Sequence, residues 1–233
     1  MMSKKIAIVT GGSKGIGAAV IDNFIKNDYQ AYNISRSVNK TIRSEHNYCF
    51  DLETEITFAE INDRFSGIPD RAEICLIHNA FPYYKDNIDD FSSDKFLDSV
   101  RFTILNTITL TRFFLKRMAK KSSVIFIGST LSERSAENCL TYTLLKHAQL
   151  GLMRSMTQDL AEQDLHTCAI CPGFTDTSML GTHLTKDSIK EVIDNVVVKK
   201  RILSPEEIAD FVYKCAITPI VNGQVFHVNL GQK

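Results

Sequence analysis

The sequence lacks several features that would point to particular partners. It has no excess charge, because 27 basic side chains balance 27 acidic ones. Nucleic acids and anionic membrane surfaces are bound largely through positive charge, so neither is expected as a partner. No apolar run approaches membrane-spanning length, and the first one stops at Thr10, too early for a secretion signal. We therefore expect a soluble cytoplasmic protein.

The sequence also lacks the ligand pattern of a zinc site. Cys168 and Cys171 have C-x-x-C spacing, but no second pair of cysteines or histidines accompanies them. The pair lies in a strand-like run and not at the start of a helix. We expect no metal site. Together with Cys49 and Cys75, these cysteines are predicted to be buried in strands or at strand ends, as small apolar side chains.

The 233 residues show no internal repeat, low-complexity tract or linker, which predicts a single domain over residues 1–233. Seven runs have the composition of buried strands, at residues 6–9, 30–34, 47–50, 73–79, 123–127, 166–171 and 224–229. Helical patterns separate most of them, at about residues 16–27, 53–65, 93–120, 204–217 and in a helix that contains Tyr142 and ends near residue 163. This alternation predicts a Rossmann-type, doubly wound α/β fold, a mostly parallel seven-stranded sheet with helices on both faces.

A glycine-rich turn, Thr10-Gly11-Gly12-Ser13-Lys14-Gly15-Ile16-Gly17, joins the first predicted strand to the first helix. Glycines let the backbone approach a pyrophosphate, and a helix N-terminus offers free N–H groups to it. The sequence therefore predicts a dinucleotide site, with contacts from Gly11, Ser13, Lys14, Gly15, Ile16 and Gly17.

The end of the second predicted strand bears on which dinucleotide binds. This position meets the adenine ribose in dinucleotide folds, and here it reads Ser35-Arg36-Ser37. An acid there would bind a ribose 2′-hydroxyl, whereas Arg36 and Lys14 could bind a 2′-phosphate. Two cations without a carboxylate favour NADP(H), with NAD(H) possible. Either cation could instead be a solvated surface residue.

Tyr142 and Lys146 lie four residues apart, on one face of a predicted helix. An isolated tyrosine hydroxyl has a pKa near ~10. A neighbouring ammonium favours the tyrosinate and lowers that pKa, so the pair predicts an acid/base group active near neutral pH. The same spacing occurs by chance in many amphipathic helices, so it gains meaning only from the rest of the chain.

Taken together, the motifs resemble the single-domain short-chain dehydrogenases/reductases over nearly the whole chain. The family's landmarks occur in order, as the glycine turn at residues 10–17, Asp51, Asn79-Ala80, Asn106, Ser129, Tyr142 with Lys146, Pro172-Gly173 and Thr177. The chain departs from the family pattern at Phe81, which replaces a glycine, at His78 and at residues 228–231.

The resemblance implies hydride transfer between a nicotinamide and a carbonyl or secondary alcohol. Tyr142 would be the general acid or base, and Ser129 would hydrogen-bond the carbonyl oxygen. Lys146 would lower the pKa of Tyr142 and bind the nicotinamide ribose, and Asn106 would hold a water that links Lys146 to solvent. The implied protein is an NADP(H)-dependent oxidoreductase acting on a small molecule.

The resemblance also implies further contacts. Cofactor contacts beyond the glycine turn and Arg36 are expected from Asp51, Leu52, Asn79, Ala80, Tyr142, Lys146, Pro172, Gly173, Thr175 and Thr177. Substrate contacts are expected from Ser129, Leu131, Tyr142, Phe81, Phe174 and Met179, with Tyr83 and His183 as further cleft residues. A polar segment at about residues 178–200, expected to be helical, is expected to form a substrate-binding lid. Family members commonly pair, so a homodimer or homotetramer is expected.

Two other functions fit part of the pattern. A catalytically silent regulatory protein could bind the dinucleotide without turnover, although such proteins usually lose the tyrosine or the lysine. A nucleotide-sugar epimerase or dehydratase shares Tyr-x-x-x-Lys, but those enzymes usually carry a different glycine spacing and a larger C-terminal domain.

Overall fold

One parallel sheet organises the chain. The structure is a computed structural model and describes residues 4–232, so the outermost ends of the predicted domain, residues 1–3 and 233, lie outside it. The seven strands are β1 Lys5–Thr10, β2 Gln30–Ser35, β3 Asn47–Cys49, β4 Glu73–His78, β5 Ser122–Ile127, β6 Leu165–Pro172 and β7 Val225–Val228. Their order is β3-β2-β1-β4-β5-β6-β7, with every neighbouring pair parallel. The predicted Rossmann-type fold is confirmed.

Helices cover both faces of the sheet. They are α1 Gly15–Lys26, α2 Phe58–Phe65, α3 Ser93–Val100, α4 Asn106–Leu115, α5 Leu140–Asp159, α6 Ser178–His183, α7 Lys186–Asn195 and α8 Pro205–Ala216. Because side chains alternate along a strand, each strand supplies both cores. Ile8 packs in one core with Phe114 of α4, and Val9 packs in the other with Phe24 of α1. Burying each such side chain contributes about 1.5–3 kcal/mol.

Two predicted helix boundaries are corrected. The helix predicted from residue 53 begins at Phe58, because Thr57 caps it. The Thr57 hydroxyl accepts a hydrogen bond from the Glu60 N–H at 3.3 Å, and the Glu60 carboxylate accepts one from the Thr57 N–H at 2.9 Å. The helix predicted to reach residue 163 ends at Asp159.

The helix predicted over residues 93–120 runs without a break from Ser93 to Leu115, so its predicted end is corrected. A π-helical segment, Arg101–Leu105, lies within it, between α3 and α4. Before this segment the Ser99 hydroxyl donates to the Lys95 carbonyl at 2.8 Å, and within it the Thr103 hydroxyl donates to the Ser99 carbonyl at 2.6 Å. Such hydroxyl-to-carbonyl bonds bend helices, and π-helical turns are common at functional sites.

The segment at residues 178–200 is largely helical, as predicted, and forms α6 and α7. It follows β6 at the edge of the sheet where the carboxyl ends of the strands meet. Among the described residues, no helix is both long and apolar enough to cross a membrane.

Candidate active site

A cleft of about 290 Å³ lies at the carboxyl ends of the central strands. Many predicted site residues line it: Gly11, Ser13, Lys14, Gly15, Ile16, Arg36, Leu52, Asn79, Ala80, Phe81, Tyr142, Lys146, Thr177 and Met179. Residues that the sequence did not indicate also line it, among them Phe50, Glu53, Phe102 and Ile127. Ligands are expected at this edge of a doubly wound sheet.

The glycine turn has a backbone that other residues adopt poorly. Gly11 and Gly15 have φ angles of +68° and +55°, in the left-handed region that favours glycine. At Gly17, an added Cβ would lie 2.3 Å from the Gly11 carbonyl oxygen. The start of α1 therefore packs directly on the turn, which requires glycine at that position.

Hydrogen bonds attach this turn to the end of β4. The Asn79 side-chain amide donates to the carbonyls of Thr10 and Gly11, at 3.0 and 3.2 Å. In return the Thr10 hydroxyl accepts from the N–H groups of Asn79 and Ala80, both at 3.0 Å. The Asn39 amide donates to the Gly12 carbonyl at 2.7 Å. Asn79 thus positions the turn, with support from Asn39 that the sequence did not reveal.

The geometry of the turn fits a dinucleotide pyrophosphate. Lys14 precedes α1, lines the cleft and makes no capping hydrogen bond with its side chain. The first N–H groups of a helix and its positive dipole end favour an anion. An added Cβ at Gly15 would lie 3.2 Å from the Thr177 methyl carbon, so the turn passes close to the segment after β6.

The predicted ribose end of the cleft holds a carboxylate as well as a cation. Arg36 Nη1 lies 3.2 Å from Glu53 Oε1, and the two side chains are 66% and 48% exposed. The expectation of cations without a carboxylate is therefore corrected. Asp51, the expected adenine contact, does not line the cleft; its carboxylate accepts a hydrogen bond from the Glu53 N–H at 3.0 Å.

Tyr142 and Lys146 lie one turn apart on α5, at the other end of the cleft. Burial raises the pKa of the Tyr142 phenol to about 12, and a hydrogen bond with the Ser129 side chain opposes that rise. The pKa of Tyr142 is thus raised in this structure, contrary to the sequence-based expectation. Burial also lowers the pKa of Lys146 to about 7.

Aromatic rings surround Tyr142. The ring centroids of Phe81 and Tyr83 lie 4.8 and 5.0 Å from that of Tyr142, both edge-to-face. His183 of α6 packs against Tyr83 at 4.2 Å. We call Phe81, Tyr83, Tyr142 and His183 the aromatic cluster. Phe81, which departs from the family pattern, therefore lies against the candidate catalytic residue.

Asn106 does not reach this end of the cleft with its side chain. It is 1% exposed, and its amide N–H groups donate to the carbonyls of Leu52 at 2.8 Å and Thr54 at 2.7 Å. The side-chain oxygen of Asn106, Oδ1, accepts a hydrogen bond from the Ile56 N–H at 3.1 Å. Both amide hydrogens serve the loop before α2, so the expected water bridge to Lys146 has no support from this side chain.

The segments after β5 and β6 contribute fewer cleft residues than expected. Ser129 hydrogen-bonds the Leu131 N–H at 3.1 Å and lies beside Tyr142. Gly173 donates its N–H to the Val228 carbonyl at 2.9 Å, which ties it to β7.

Several predicted site residues do not line the cleft, namely Gly17, Asp51, Asn106, Ser129, Leu131, Pro172, Gly173, Phe174 and Thr175.

Cysteine positions match the prediction only in part. Cys75, Cys168 and Cys171 are buried, but Cys49 is exposed because it ends the short edge strand β3. Within residues 4–232, no group of three or more metal-ligating side chains is arranged to hold an ion.

The chain is similar to known oxidoreductases over almost its entire length. It is 23% identical over 239 residues to carbonyl reductase family member 4 of Xenopus laevis, an alignment that covers 97% of each chain. Two solved structures share the fold. A 3-oxoacyl (acyl-carrier-protein) reductase from Agrobacterium tumefaciens with NADP bound has a TM-score of 0.87 and 19% identity, with 99% of this chain and 95% of that chain covered. L-Sorbose reductase from Gluconobacter frateurii, complexed with NADPH and L-sorbose, has a TM-score of 0.86 and 20% identity, covering 99% and 97%.

A sequence profile identifies the family. Residues 5–188 match the profile described as short chain dehydrogenase, and this range includes the glycine turn and the helix of Tyr142 and Lys146. The cleft geometry agrees with a nicotinamide dinucleotide cofactor and a small-molecule substrate. This chain belongs to the short-chain dehydrogenase family of oxidoreductases.

Proposed function

We propose that the protein transfers hydride between NADP(H) and a carbonyl or secondary alcohol, with Tyr142 as general acid and base. The observation that carries this proposal is the single cleft that joins the glycine turn to Tyr142 and Lys146. A bound nicotinamide supplies the hydride, and the protein orients the reactants and handles the proton.

Tyr142 is suited to donate a proton to a carbonyl oxygen. Its raised pKa keeps the phenol protonated near neutral pH, as the general acid of a reduction must be. Ser129 lies beside the phenol and is proposed to hydrogen-bond the same carbonyl oxygen. Lys146 lies one turn after Tyr142 on α5, with its Nζ 5.7 Å from the Tyr142 ring centroid, and is proposed to bind the nicotinamide ribose.

The glycine turn and the start of α1 are proposed to hold the pyrophosphate. Lys14 and Arg36 both line the cleft and are proposed to bind the 2′-phosphate of NADP(H). Two structural neighbours carry NADP or NADPH, which supports this choice. Glu53 acts against it by pairing with Arg36, so we expect a moderate preference for NADP(H) over NAD(H).

The substrate side of the cleft is proposed to be partly apolar, with Phe81 and Met179 as its walls. The relatives act on carbonyl compounds by name, as a carbonyl reductase, a 3-oxoacyl reductase and a sorbose reductase. We propose residues 178–200 as the lid, because His183 of α6 already contacts Tyr83. A cytoplasmic homodimer or homotetramer with no nucleic-acid or membrane partner remains our proposal for its setting.

A turnover screen tests the proposal. Aldehydes, ketones, 3-oxo thioesters and keto sugars are each assayed with NADPH and with NADH by the absorbance of the reduced nicotinamide. We expect reduction of at least one carbonyl class, with lower KM for NADPH. Stabilisation by cofactor without turnover of any substrate would instead identify a catalytically silent dinucleotide-binding protein.

A further inference from the structure

The ammonium of Lys146 is enclosed by partners that its proposed role does not explain. Lys146 is 3% exposed, and its Nζ donates to the Ile127 carbonyl at 2.8 Å and to Gln149 Oε1 at 3.1 Å. The ring of Phe81 covers it, with the centroid 4.1 Å from Nζ, within the range of a cation–π interaction. The charge therefore lies inside the protein, compensated by a carbonyl, an amide and an aromatic face.

Gln149 differs from the other two partners because it is a polar side chain placed at the right spacing. It follows Lys146 by three residues, so both lie on one face of α5. Gln149 is itself 2% exposed, and a buried polar side chain needs a hydrogen-bond partner. An oxygen that accepts from an ammonium favours the charged form of the lysine. Burial alone favours the neutral amine.

The other charged and titratable groups around Lys146 are few. Tyr142 lies on the same helix, with its ring centroid 5.7 Å from Nζ, and Cys171 approaches from β6. Burial raises the pKa of the Cys171 thiol, which keeps it neutral. In the part of the chain that the structure describes, no carboxylate pairs with Lys146 within 4.0 Å. The compensation of its charge thus depends on Ile127, Gln149 and Phe81.

We propose that Gln149 is a positioning residue for Lys146. Its amide oxygen holds the ammonium at the end of β5 beneath Phe81 and favours the charged form against the effect of burial, so that a cation is available beside Tyr142. The proposal builds on the function proposed for Lys146, but the arrangement exists in the chain itself. It can therefore be measured in the protein without cofactor.

The test is an NMR titration of isotope-labelled lysine side chains in the cofactor-free protein, with Lys146→Ala to assign the signal. We expect the midpoint for Lys146 to fall in Gln149→Leu, where the acceptor is lost, and to rise in Gln149→Glu, where a carboxylate replaces it. Shifts of about one pH unit or more are expected for a partner this close. Gln158→Leu, at an exposed position of the same helix, is the control and leaves the midpoint unchanged.

Turnover provides a second readout. The pH at which activity falls on the alkaline side should move in the same direction as the Lys146 midpoint, downward in Gln149→Leu and upward in Gln149→Glu. An unchanged midpoint in both Gln149 variants, with thermal unfolding showing a folded protein, would overturn the proposal. A wild-type protein without turnover would count against the proposed function, and the titration would still decide the role of Gln149.

Discussion

The two ends of the cleft are built in different ways. At the glycine turn, a short motif sets most of its own backbone, because Gly11 and Gly15 adopt left-handed φ angles. Asn79 from the end of β4 holds the turn by donating to the carbonyls of Thr10 and Gly11. Around Tyr142, the site is assembled from separate parts of the chain, with Phe81 and Tyr83 from the loop after β4 and His183 from α6. The first end tolerates little change in backbone, whereas the second depends on side-chain packing.

This difference suggests how each end fails. A substitution at the turn should damage cofactor binding and stability together, because an added atom meets backbone that cannot move. A substitution in the aromatic cluster or at the start of α5 should change turnover more than cofactor affinity. The four changes below test that contrast, from the largest expected effect to the smallest.

Removing the phenol of Tyr142 should have the largest effect. Tyr142→Phe keeps the ring packed between Phe81 and Tyr83 but leaves no proton donor, so we expect kcat to fall by about a hundredfold or more. Cofactor binding, measured by fluorescence titration, should stay within a few-fold of wild type. Tyr213→Phe, on the opposite face of the sheet, is the control. Retained turnover in Tyr142→Phe would contradict the catalytic assignment.

Adding one carbon at Gly17 should damage the turn. The Cβ of Gly17→Ala would lie 2.3 Å from the Gly11 carbonyl oxygen, so we expect a loss of about 1–3 kcal/mol in the free energy of unfolding, together with weaker cofactor binding. Urea denaturation and cofactor titration measure the two effects. Gly151→Ala, where nothing lies within 4 Å of the new carbon, is the matched helical control and should stabilise by about 0.8–1 kcal/mol.

Asp86 caps the helix that carries Tyr142, although it lies far away in sequence. It is 4% exposed, and its carboxylate accepts hydrogen bonds from the Thr141 N–H at 3.0 Å and the Thr141 hydroxyl at 2.5 Å. Cys139, the residue before α5, makes no side-chain cap. Asp86→Ala should cost about 1–2 kcal/mol and lower kcat with little change in cofactor affinity.

The conservative variant separates capping from charge at this position. Asp86→Asn keeps an acceptor for the Thr141 N–H, so unfolding midpoint and kcat should both return toward wild type. If Asp86→Ala changes stability but not kcat at temperatures where it is folded, the cap does not position Tyr142.

The smallest effect is expected at the ribose end. Glu53→Gln removes the carboxylate beside Arg36, and we expect the preference for NADPH over NADH to increase by a few-fold. An exposed pair of this kind is worth about 0–1 kcal/mol, so the change should shrink at high salt. Glu55→Gln, exposed in the same loop, is the control. An unchanged cofactor ratio in Glu53→Gln would mean that the Glu53 carboxylate does not weaken the interaction of Arg36 with the 2′-phosphate.

Local sequence patterns predicted much of the fold. Seven predicted runs became the seven strands, and α8 begins beside the predicted start at residue 204, where Ser204 and Glu207 cap it with hydrogen bonds of 3.2 and 2.9 Å. The long helix predicted over residues 93–120 is present from Ser93 to Leu115, but its π-helical segment Arg101–Leu105 and its earlier end were not predicted. Helix propensities do not distinguish α-helical from π-helical hydrogen bonding.

The site was readable where one motif supplies its own geometry. Five predicted residues of the glycine turn, Gly11 and Ser13 to Ile16, line the cleft, and Tyr142 and Lys146 share a helix face. The pairing of Glu53 with Arg36 was not predicted, because Glu53 follows β3 and lies 17 residues after Arg36 in the sequence. The spacing of Gln149, one turn beyond Lys146, indicates that the two side chains can meet. That Lys146 needs a polar partner there follows only from the burial of both side chains.

By itself, the sequence determined most of the elements and the parallel sheet, because strand composition, glycine φ preferences and helical spacing act over a few residues, and its motifs carried the resemblance to the family. Tertiary structure alone decided that burial raises the pKa of Tyr142 and lowers that of Lys146. It also decided that Phe81 covers the lysine and that Asn106 bonds to the loop before α2. Desolvation and hydrogen-bond choice depend on which distant segments meet, and that is set only when the whole chain has packed.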